Sequence, residues 1–297
     1  MSRASAATGG ASAEAIQFHY DVSNDFYRLW LDSTMTYSCA LFDDDDPDDD
    51  LEHAQCRKLD LHARWANAQG AGRILDVGSG WGSMARRLVE QYEVKQVVGL
   101  TLSREQHEST VDMDPRCEIR LENWKDHQPA APYDGIISIG AFEHFADLTM
   151  SPDEKIEAYR HFFQKCRDCL EADGYLSLQT IAYGYLRPDK GSDLFVATQI
   201  FPESDLPRLE DIVRAAADLF EISSLRNDRL HYARTCRAWL RGLRAHRERA
   251  VELVSADTVR RYERYLRSFC YAFELDAFRL YRLAMRPVMK HGFGDRP

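Results

Sequence analysis

Arg73-Ile-Leu-Asp-Val-Gly-Ser-Gly-Trp-Gly82 decides how this chain is read. A short apolar run ends in Asp76, glycines follow at 78, 80 and 82, and an amphipathic segment comes next. Glycine lets a backbone turn sharply and approach a ligand where a Cβ would obstruct it. The following Ser83-Met-Ala-Arg-Arg-Leu-Val-Glu-Gln-Tyr92 puts Met84, Leu88, Val89 and Tyr92 on one helical face. Together they predict a strand–turn–helix unit at the mouth of an open α/β sheet, where nucleotide-like ligands bind. The spacing is G-x-G-x-G, not the G-x-G-x-x-G of dinucleotide sites. An adenosyl methyl donor is therefore the first choice and a dinucleotide the second.

Outward from this turn, strand and helix alternate from about residue 73 to 184, the pattern of a parallel sheet. Strands are expected at Arg73–Val77, Gln96–Leu102, Cys117–Leu121, Tyr133–Ile139 and Gly174–Ala182, with a last one at Phe278–Met285. Helices are expected between them at Ser83–Tyr92, Arg104–Asp112 and Glu154–Leu170. Ala13–Leu31 and Leu51–Ala68 read as helices covering the open end of the sheet, so residues 13–70 form an N-terminal helical cover. Pro207–Leu219, Ala233–Arg249 and Ala256–Ala272 read as helices, the latter two within a partly helical lid over 185–272. Residues 1–12 read as a loose tail, and 13–297 as one α/β domain with helical additions.

A chain of 297 residues can bury a full core, and 44% hydrophobic with 29% charged residues is ordinary for a globular enzyme. No apolar run approaches the roughly 20 residues needed to span a bilayer. The Ala/Ser/Gly-rich start lacks the apolar core of a signal peptide, which points to the cytoplasm. Seven cysteines without framework spacing read as reduced thiols, and Cys166-x-x-Cys169, inside an expected helix, reads as packing. A net charge of −10 argues against nucleic acid and against unassisted binding to anionic membrane, and with no apolar span stable membrane insertion is not expected. Much of it lies in Asp43-Asp-Asp-Asp-Pro-Asp-Asp-Asp50, a solvated loop in its plain reading and a poor cage for a divalent cation. One basic pole opposes it: Arg226, Arg229, Arg234, Arg237, Arg241, Arg244, Arg247 and Arg249. Such a stretch is either a solvated helix face paired with nearby acids or a docking patch for a phosphate, a diphosphate or an acidic carrier protein, such as an acyl carrier protein.

Three further segments carry chemistry. Gly99-Leu-Thr-Leu-Ser-Arg-Glu-Gln106 ends a strand at Thr101 and Leu102 without the acid that dinucleotide enzymes place there for ribose hydroxyls. Gln106, on the first turn of the next helix, is left as the polar contact. Ser138-Ile-Gly-Ala-Phe-Glu-His-Phe145 follows an apolar strand and brings Glu143 into the crevice at the carboxyl end of the sheet. A carboxylate there can attract a sulfonium donor or remove a proton; the plainer alternative is an acid satisfied at a helix start. His144 reads as structural. Phe18-His-Tyr-Asp-Val-Ser-Asn-Asp-Phe-Tyr-Arg-Leu-Trp30 and Met35-Thr-Tyr-Ser-Cys-Ala-Leu-Phe42 crowd aromatic residues that by themselves read as core.

Taken together these segments resemble the cyclopropane-fatty-acid synthase and mycolic acid methyltransferase family. The resemblance runs from about His19 to the C-terminus, through Tyr37-Ser-Cys-Ala40, Leu75–Gly82, Gly99–Ser103, Ser138–His144, Ile200-Phe-Pro202 and His231-Tyr-Ala-Arg-Thr235. It implies an α/β class I methyltransferase fold, a Rossmann-like sheet with N-terminal helices and a helical lid. It also implies S-adenosyl-L-methionine held by Tyr37, Gly78, Thr101, Leu102, Gln106, Trp124 and Gly140, beside Gly80 of the glycine turn. Family members hold a bicarbonate ion as general base, with groups matching Cys39 (through its backbone), Glu143, Ile181 and Tyr262. Where they carry a histidine ligand this chain has Gln179, which can hydrogen-bond an oxyanion but bears no charge. The segment between Ala182 and Phe201 is shorter than in the mycolic acid enzymes, where it lines the acyl channel.

The activity so implied is methyl transfer to an alkene carbon of an acyl chain or lipid-like molecule. The π bond attacks the sulfonium methyl, aromatic faces and a carboxylate stabilise the carbocation, and proton loss gives a cyclopropane or a methyl branch. Glu143 is the expected base and Tyr262 its hydrogen-bond partner. The alternative is a small-molecule C- or N-methyltransferase of secondary metabolism; a non-catalytic donor-binding module and a nicotinamide dehydrogenase stand further off.

Overall fold

Runs such as Ile-Leu-Asp-Val and Gly-Ile-Ile-Ser-Ile are apolar on both faces, which suits strands covered by helices on either side. In the computed structural model, which describes residues 23–46, 48–185 and 204–289, these runs form the centre of a seven-stranded sheet. In chain order the strands are β1 (Arg73–Val77), β2 (Gln96–Thr101), β3 (Cys117–Leu121), β4 (Tyr133–Ile139), β5 (Leu170–Tyr183), β6 (Phe220–Asn227) and β7 (Phe278–Pro287). Their spatial order is β3-β2-β1-β4-β5-β7-β6. The first five are parallel, β7 runs antiparallel to β5, and β6 antiparallel to β7.

Strand order reverses between β1 and β4: after β1 the chain builds outward through β2 and β3, then returns to lay β4 on the other flank. A crevice opens at such a switch point, at the carboxyl ends of the strands. Both Gly78, after β1, and Gly140, after β4, border it.

The helices are α1 (Asn24–Arg28), α2 (Leu51–Trp65), α3 (Ser83–Gln91), α4 (Arg104–Glu108), α5 (Pro152–Cys169), α6 (Leu209–Ala216), α7 (Arg229–Ala245), α8 (Arg247–Leu253) and α9 (Ala256–Glu274). One sheet face packs Leu59 and Ala63 of α2 and Met84, Leu88 and Val89 of α3 over Ile74, Val97 and Ile137. The other packs Phe162, Phe163 and Cys166 of α5 and Ile212 of α6 over Leu75, Val98, Leu176 and Leu283. A third cluster joins α1, α7 and α9 through Phe26, Trp30, Trp239, Tyr262 and Phe269. No described helix is long and apolar enough to cross a membrane.

Several expected boundaries move for identifiable reasons. Helix α5 starts at Pro152, two residues ahead of Glu154, because Ser151 and Glu154 close a capping box around it. The segment expected as one helix over Ala233–Arg249 divides into α7 and α8 at His246, where the backbone leaves helical geometry. Helix α4 closes at Glu108 instead of Asp112, α6 is shorter than Pro207–Leu219, and β5 starts at Leu170 instead of Gly174. Strand β6 was not expected. It is an edge strand, buried only at Phe220, and a bulge between Ile222 and Ser224 breaks the alternation that marks a strand. Of the expected helix Ala13–Leu31, residues 23–31 are described and only Asn24–Arg28 is helical; residues 13–22, the His19 end of the family segment, Ile200-Phe-Pro202 and most of the Ala182–Phe201 segment lie outside the described residues.

The charge runs resolve locally. Asp50 caps α2 and Asp49 pairs with Arg57. Six of the eight clustered arginines are ion-paired: Arg226 with Asp228, Arg229 with Asp276, Arg234 with Asp44, Arg237 with Glu274, Arg247 with Glu263 and Arg249 with Glu252. Cys166 and Cys169 are buried and unpaired, and no metal-holding cluster of acids, histidines or cysteines occurs among the described residues.

Candidate active site

The glycine turn is shaped by its backbone. Gly78, Gly80 and Gly82 take φ of 84°, 56° and 79°, a region that L side chains resist. The amides of Gly78 and Ser79 both donate to the carbonyl of Leu100 at 3.0 and 2.9 Å, folding the turn across the end of β2. A Cβ at Gly78 would stand 2.7 Å from Cβ of Ala141, so a side chain there would push the two strand ends apart. At Gly80 an added Cβ would meet nothing within 4 Å.

Beside this turn lies a cavity of about 1170 Å³, counting its mouth. Tyr37, Gly78, Gly80, Thr101, Leu102, Gln106, Trp124 and Gly140 all line it, so the eight residues expected around the donor converge from five separate segments. The Thr101 hydroxyl donates to Gln106 Oε1 at 2.8 Å, which fixes the carboxamide at the end of β2. Trp124, packed edge-on against Phe162 and tilted against Phe145, gives a flat apolar wall.

Lys58 and Asp76 line the same cavity and are both buried. Burial pushes the Asp76 carboxyl up to about 7, and its Oδ2 has no hydrogen-bond partner. Burial, and next the Arg282 guanidinium, push the Lys58 ammonium down to about 7. Ionic groups and an aromatic wall in one cavity fit a molecule made of an amino acid and a flat base, as S-adenosylmethionine is.

Glu143 sits on a single 3-10 turn, Phe142–His144, just past Gly140, and is 2% exposed. Its Oε1 accepts from the Ile181 amide at 3.3 Å and its Oε2 from the Thr180 hydroxyl at 3.2 Å. Burial outweighs these bonds and raises the carboxyl from the ordinary 4.5 to about 7. The Thr180 hydroxyl lies also 3.0 Å from the Ile181 carbonyl. A hydroxyl has one proton, so when it serves that carbonyl a protonated Glu143 can donate to Thr180 in return. Tyr262, expected to partner Glu143, instead shares a hydrogen bond with the Tyr27 hydroxyl at 2.9 Å; Thr180 and Ile181 of β5 reach the carboxylate first.

Gln179 is fully enclosed, and its environment fixes which way its amide faces. Arg282, directly opposite in the β5–β7 register, donates from Nε to Gln179 Oε1 at 2.7 Å. An arginine can only donate, so the atom facing it is the oxygen. His62 Nε2 also faces that oxygen, at 3.3 Å, and must carry its proton there. Its Nδ1 then accepts from the Ser177 hydroxyl at 2.8 Å. Burial, with Arg282 and Lys58 adding to it, holds the imidazole neutral, well below its usual range. The two N–H groups of Gln179 are therefore not the atoms that face Arg282 and His62.

Arg282 further donates to the carbonyls of Cys39 and Ala40 at 3.0 and 3.1 Å and pairs with Asp228. The Cys39 thiol is buried, its pKa raised to about 12 by burial, so it is inert as a nucleophile and only its backbone faces this group. His144 bonds Ser204 at 2.8 Å and lines the donor cavity.

Lys58, His62 and Arg282 were missed in the sequence because charged residues usually face water. A signal was present: on α2, Ala54, Gln55, Lys58, Leu59, His62 and Ala63 recur at helical spacing, so three polar residues share the buried stripe of two alanines and a leucine.

Fold, switch-point cavity and donor-shaped lining define a class I methyltransferase that uses S-adenosylmethionine. The chain belongs to the family described as mycolic acid cyclopropane synthetase, whose profile matches residues 9–283. It is 36% identical over 272 residues to hydroxymycolate synthase MmaA4 of Mycobacterium tuberculosis, covering 86% of each chain. It is 37% identical over 269 residues to cyclopropane mycolic acid synthase 3 of the same organism, covering 84% of this chain and 89% of that one. The solved cyclopropane synthase MmaA2 from M. tuberculosis superposes with a TM-score of 0.82 at 34% identity over 93% of this chain and 98% of that one. Mycolic acid cyclopropane synthase CmaA1, solved in complex with SAH and CTAB, gives 0.81 at 34% over the same shares. Coclaurine N-methyltransferase shares the fold alone, at 20% identity and a TM-score of 0.78 over 95% of this chain and 84% of that one.

Proposed function

We propose that this enzyme methylates an alkene carbon of an acyl chain or lipid-like acceptor, giving a cyclopropane or a methyl branch. The observation that carries the reading is Glu143: a buried carboxyl with a pKa near neutrality, one turn beyond the Gly140 edge of the donor cavity. The names of the relatives, hydroxymycolate and cyclopropane mycolic acid synthases, support an unsaturated lipid as acceptor.

Bound at the cavity, the donor supplies a methyl group on a positively charged sulphur, open to attack by an electron-rich carbon. The chain's own residues do the rest. Gly78, Gly80, Thr101, Gln106, Trp124 and Gly140 hold the donor. Rings of Phe26, Tyr27, Trp30, Tyr37 and Tyr262, at centroid spacings of 5.0 to 6.2 Å, keep water out and offer π faces to a cation. Glu143, ionised, accepts the proton that leaves the product. A bicarbonate ion would be held by the Gln179 N–H groups, Tyr262 and the backbone of Cys39 and Ile181, and would take the proton in place of Glu143. Helices α7 and α9 act as the lid, within one domain. Ion pairing of most of the arginine cluster favours a free acceptor over one delivered by an acyl carrier protein. Seven unpaired cysteines agree with a cytoplasmic setting.

A compact amine or carbon nucleophile of secondary metabolism is the second reading. Gln179 favours it, being neutral and already engaged by Arg282 and His62. Methyl-labelled donor, offered with unsaturated lipid extract or with amines, separates the two. Label in a cyclopropane or branched lipid is expected; label in amines alone would overturn the first reading.

A further inference from the structure

None of the residues of His231-Tyr-Ala-Arg-Thr235, on α7, lines the donor cavity, yet three of them hold a segment that does. That segment is a strap over residues 35–42. Met35, Thr36, Tyr37 and Ser38 form part of the cavity wall, and residues 39–42 continue the chain. Residues 36–42 belong to no helix or strand. Among the described residues their one backbone–backbone hydrogen bond runs from the Leu41 amide to the Ala54 carbonyl, at 3.0 Å. Buried backbone groups outside a ladder need side-chain partners. For the first half α2 supplies them: Gln55 Nε2 donates to the carbonyls of Thr36 and Ser38 at 3.1 and 2.9 Å.

The second half is held from α7. The Ala40 amide donates to the Thr235 hydroxyl at 3.0 Å, and the Phe42 amide to Nδ1 of His231 at 3.2 Å. An amide only donates, so that Nδ1 carries no proton. Thr235 spends its own proton on the His231 carbonyl at 2.8 Å, which leaves a lone pair for Ala40. The Arg234 guanidinium lies over the Phe42 ring, 4.3 Å from its centroid. Residues three and four apart are neighbours on a helix surface, so positions 231, 234 and 235 form one strap-facing patch. Tyr232 instead stacks on Phe273 of α9, with ring centroids 4.5 Å apart, and fixes α7.

A motif that served only to pack α7 would need Tyr232 and Ala233 and no polar grip on the strap. Ala40 shows more than packing. Its N–H is held by Thr235, and its carbonyl, with that of Cys39, accepts from Arg282 of β7 at 3.1 and 3.0 Å. Ala40 follows Tyr37 by three residues, at most about 10 Å of extended chain, so its placement limits where Tyr37 and Ser38 can stand.

We propose that His231 and Thr235 are positioning residues for the methyl donor. From outside the cavity they set the strap so that Tyr37 and Ser38 are in place before the donor arrives. This rests on the donor assignment and goes beyond it.

Isothermal titration of the whole chain with S-adenosylhomocysteine, beside melting curves, tests it. Thr235→Val keeps the shape and removes the hydroxyl; Thr235→Ser keeps the hydroxyl. His231→Leu removes the acceptor; His231→Asn places an amide oxygen about where Nδ1 stands. Valine and leucine are each expected to weaken the ligand about 10-fold, the affinity lost as the strap's competent fraction falls with one buried hydrogen bond. Serine and asparagine should bind within about twofold of wild type on the same scale. If Thr235→Val does not fold, the His231 pair, at the less buried end of the strap, reads the same quantity. A lowered melting temperature with wild-type affinity would overturn the proposal, as would serine and asparagine losing as much as valine and leucine. No heat with the folded wild-type chain would instead overturn the donor assignment.

Discussion

Glu143→Gln should inactivate the enzyme and, above neutral pH, stabilise it. The carboxyl is raised from 4.5 to about 7, chiefly by burial. Each tenfold change in proton affinity is worth about 1.4 kcal/mol, so holding Glu143 ionised in the fold costs about 3 kcal/mol. The sign follows from the direction. A carboxyl that binds its proton more tightly folded than unfolded favours the fold fully below pH 4.5, and that advantage is lost as pH rises through about 7. Glutamine keeps the shape, can still accept from the Ile181 amide and has no charge to desolvate. Its advantage over wild type should be small near pH 5 and reach about 3 kcal/mol by pH 8, or roughly 5 °C in melting temperature for a chain of this size. Wild-type kcat/KM should rise with pH to a plateau above about 7, while the variant loses about 100- to 10,000-fold at every pH. Paired melting curves at pH 5 and 8, with turnover of labelled donor, read both effects. A stability difference that ignores pH, or a variant that still turns over, would refute the reasoning.

Gly78→Ala should abolish measurable donor binding in calorimetry, since its Cβ would stand 2.7 Å from Ala141 at a φ of 84°. Arg282→Met should cost about 3–5 kcal/mol in denaturant unfolding, because it removes one of the two arginines on buried Asp228 and the guanidinium donors to the Cys39, Ala40 and Gln179 oxygens. Tyr262→Phe should cost only about 1 kcal/mol, the Tyr27 hydrogen bond, and leave donor affinity unchanged.

The sheet was legible because its central strands are apolar on both faces and each ends in a turn that only glycine permits. Gly78 and Gly140 mark the two flanks of the switch point, and the donor residues follow from their place at strand ends. Strand β6 escaped because an edge strand has little to bury, so Glu221-Ile-Ser-Ser-Leu-Arg226 shows no alternation. The break between α7 and α8 escaped because His246 and its neighbours are all compatible with helix, and no Gly or Pro marks the place. The Tyr262 partner was misread because hydroxyl pairing across α1 and α9 depends on distances that no local pattern carries.

The Gln179 neighbourhood is where sequence and structure together say more than either. Read alone, Gln179 is a neutral residue where the family resemblance implies a histidine. In the fold a charge stands one strand away, on Arg282, in register and bonded through the Gln179 oxygen. That bond, with His62 on the same oxygen, leaves the Gln179 N–H groups as the donors of a neutral amide, with the cation held on its oxygen side. A guanidinium does not titrate in the neutral range as an imidazole does. The buried His62 is held neutral. With a neutral amide at 179, Glu143 is the titrating group beside that amide's strand, and the dependence of donor binding on pH separates its limb from those of Asp76 and Lys58 in the donor cavity.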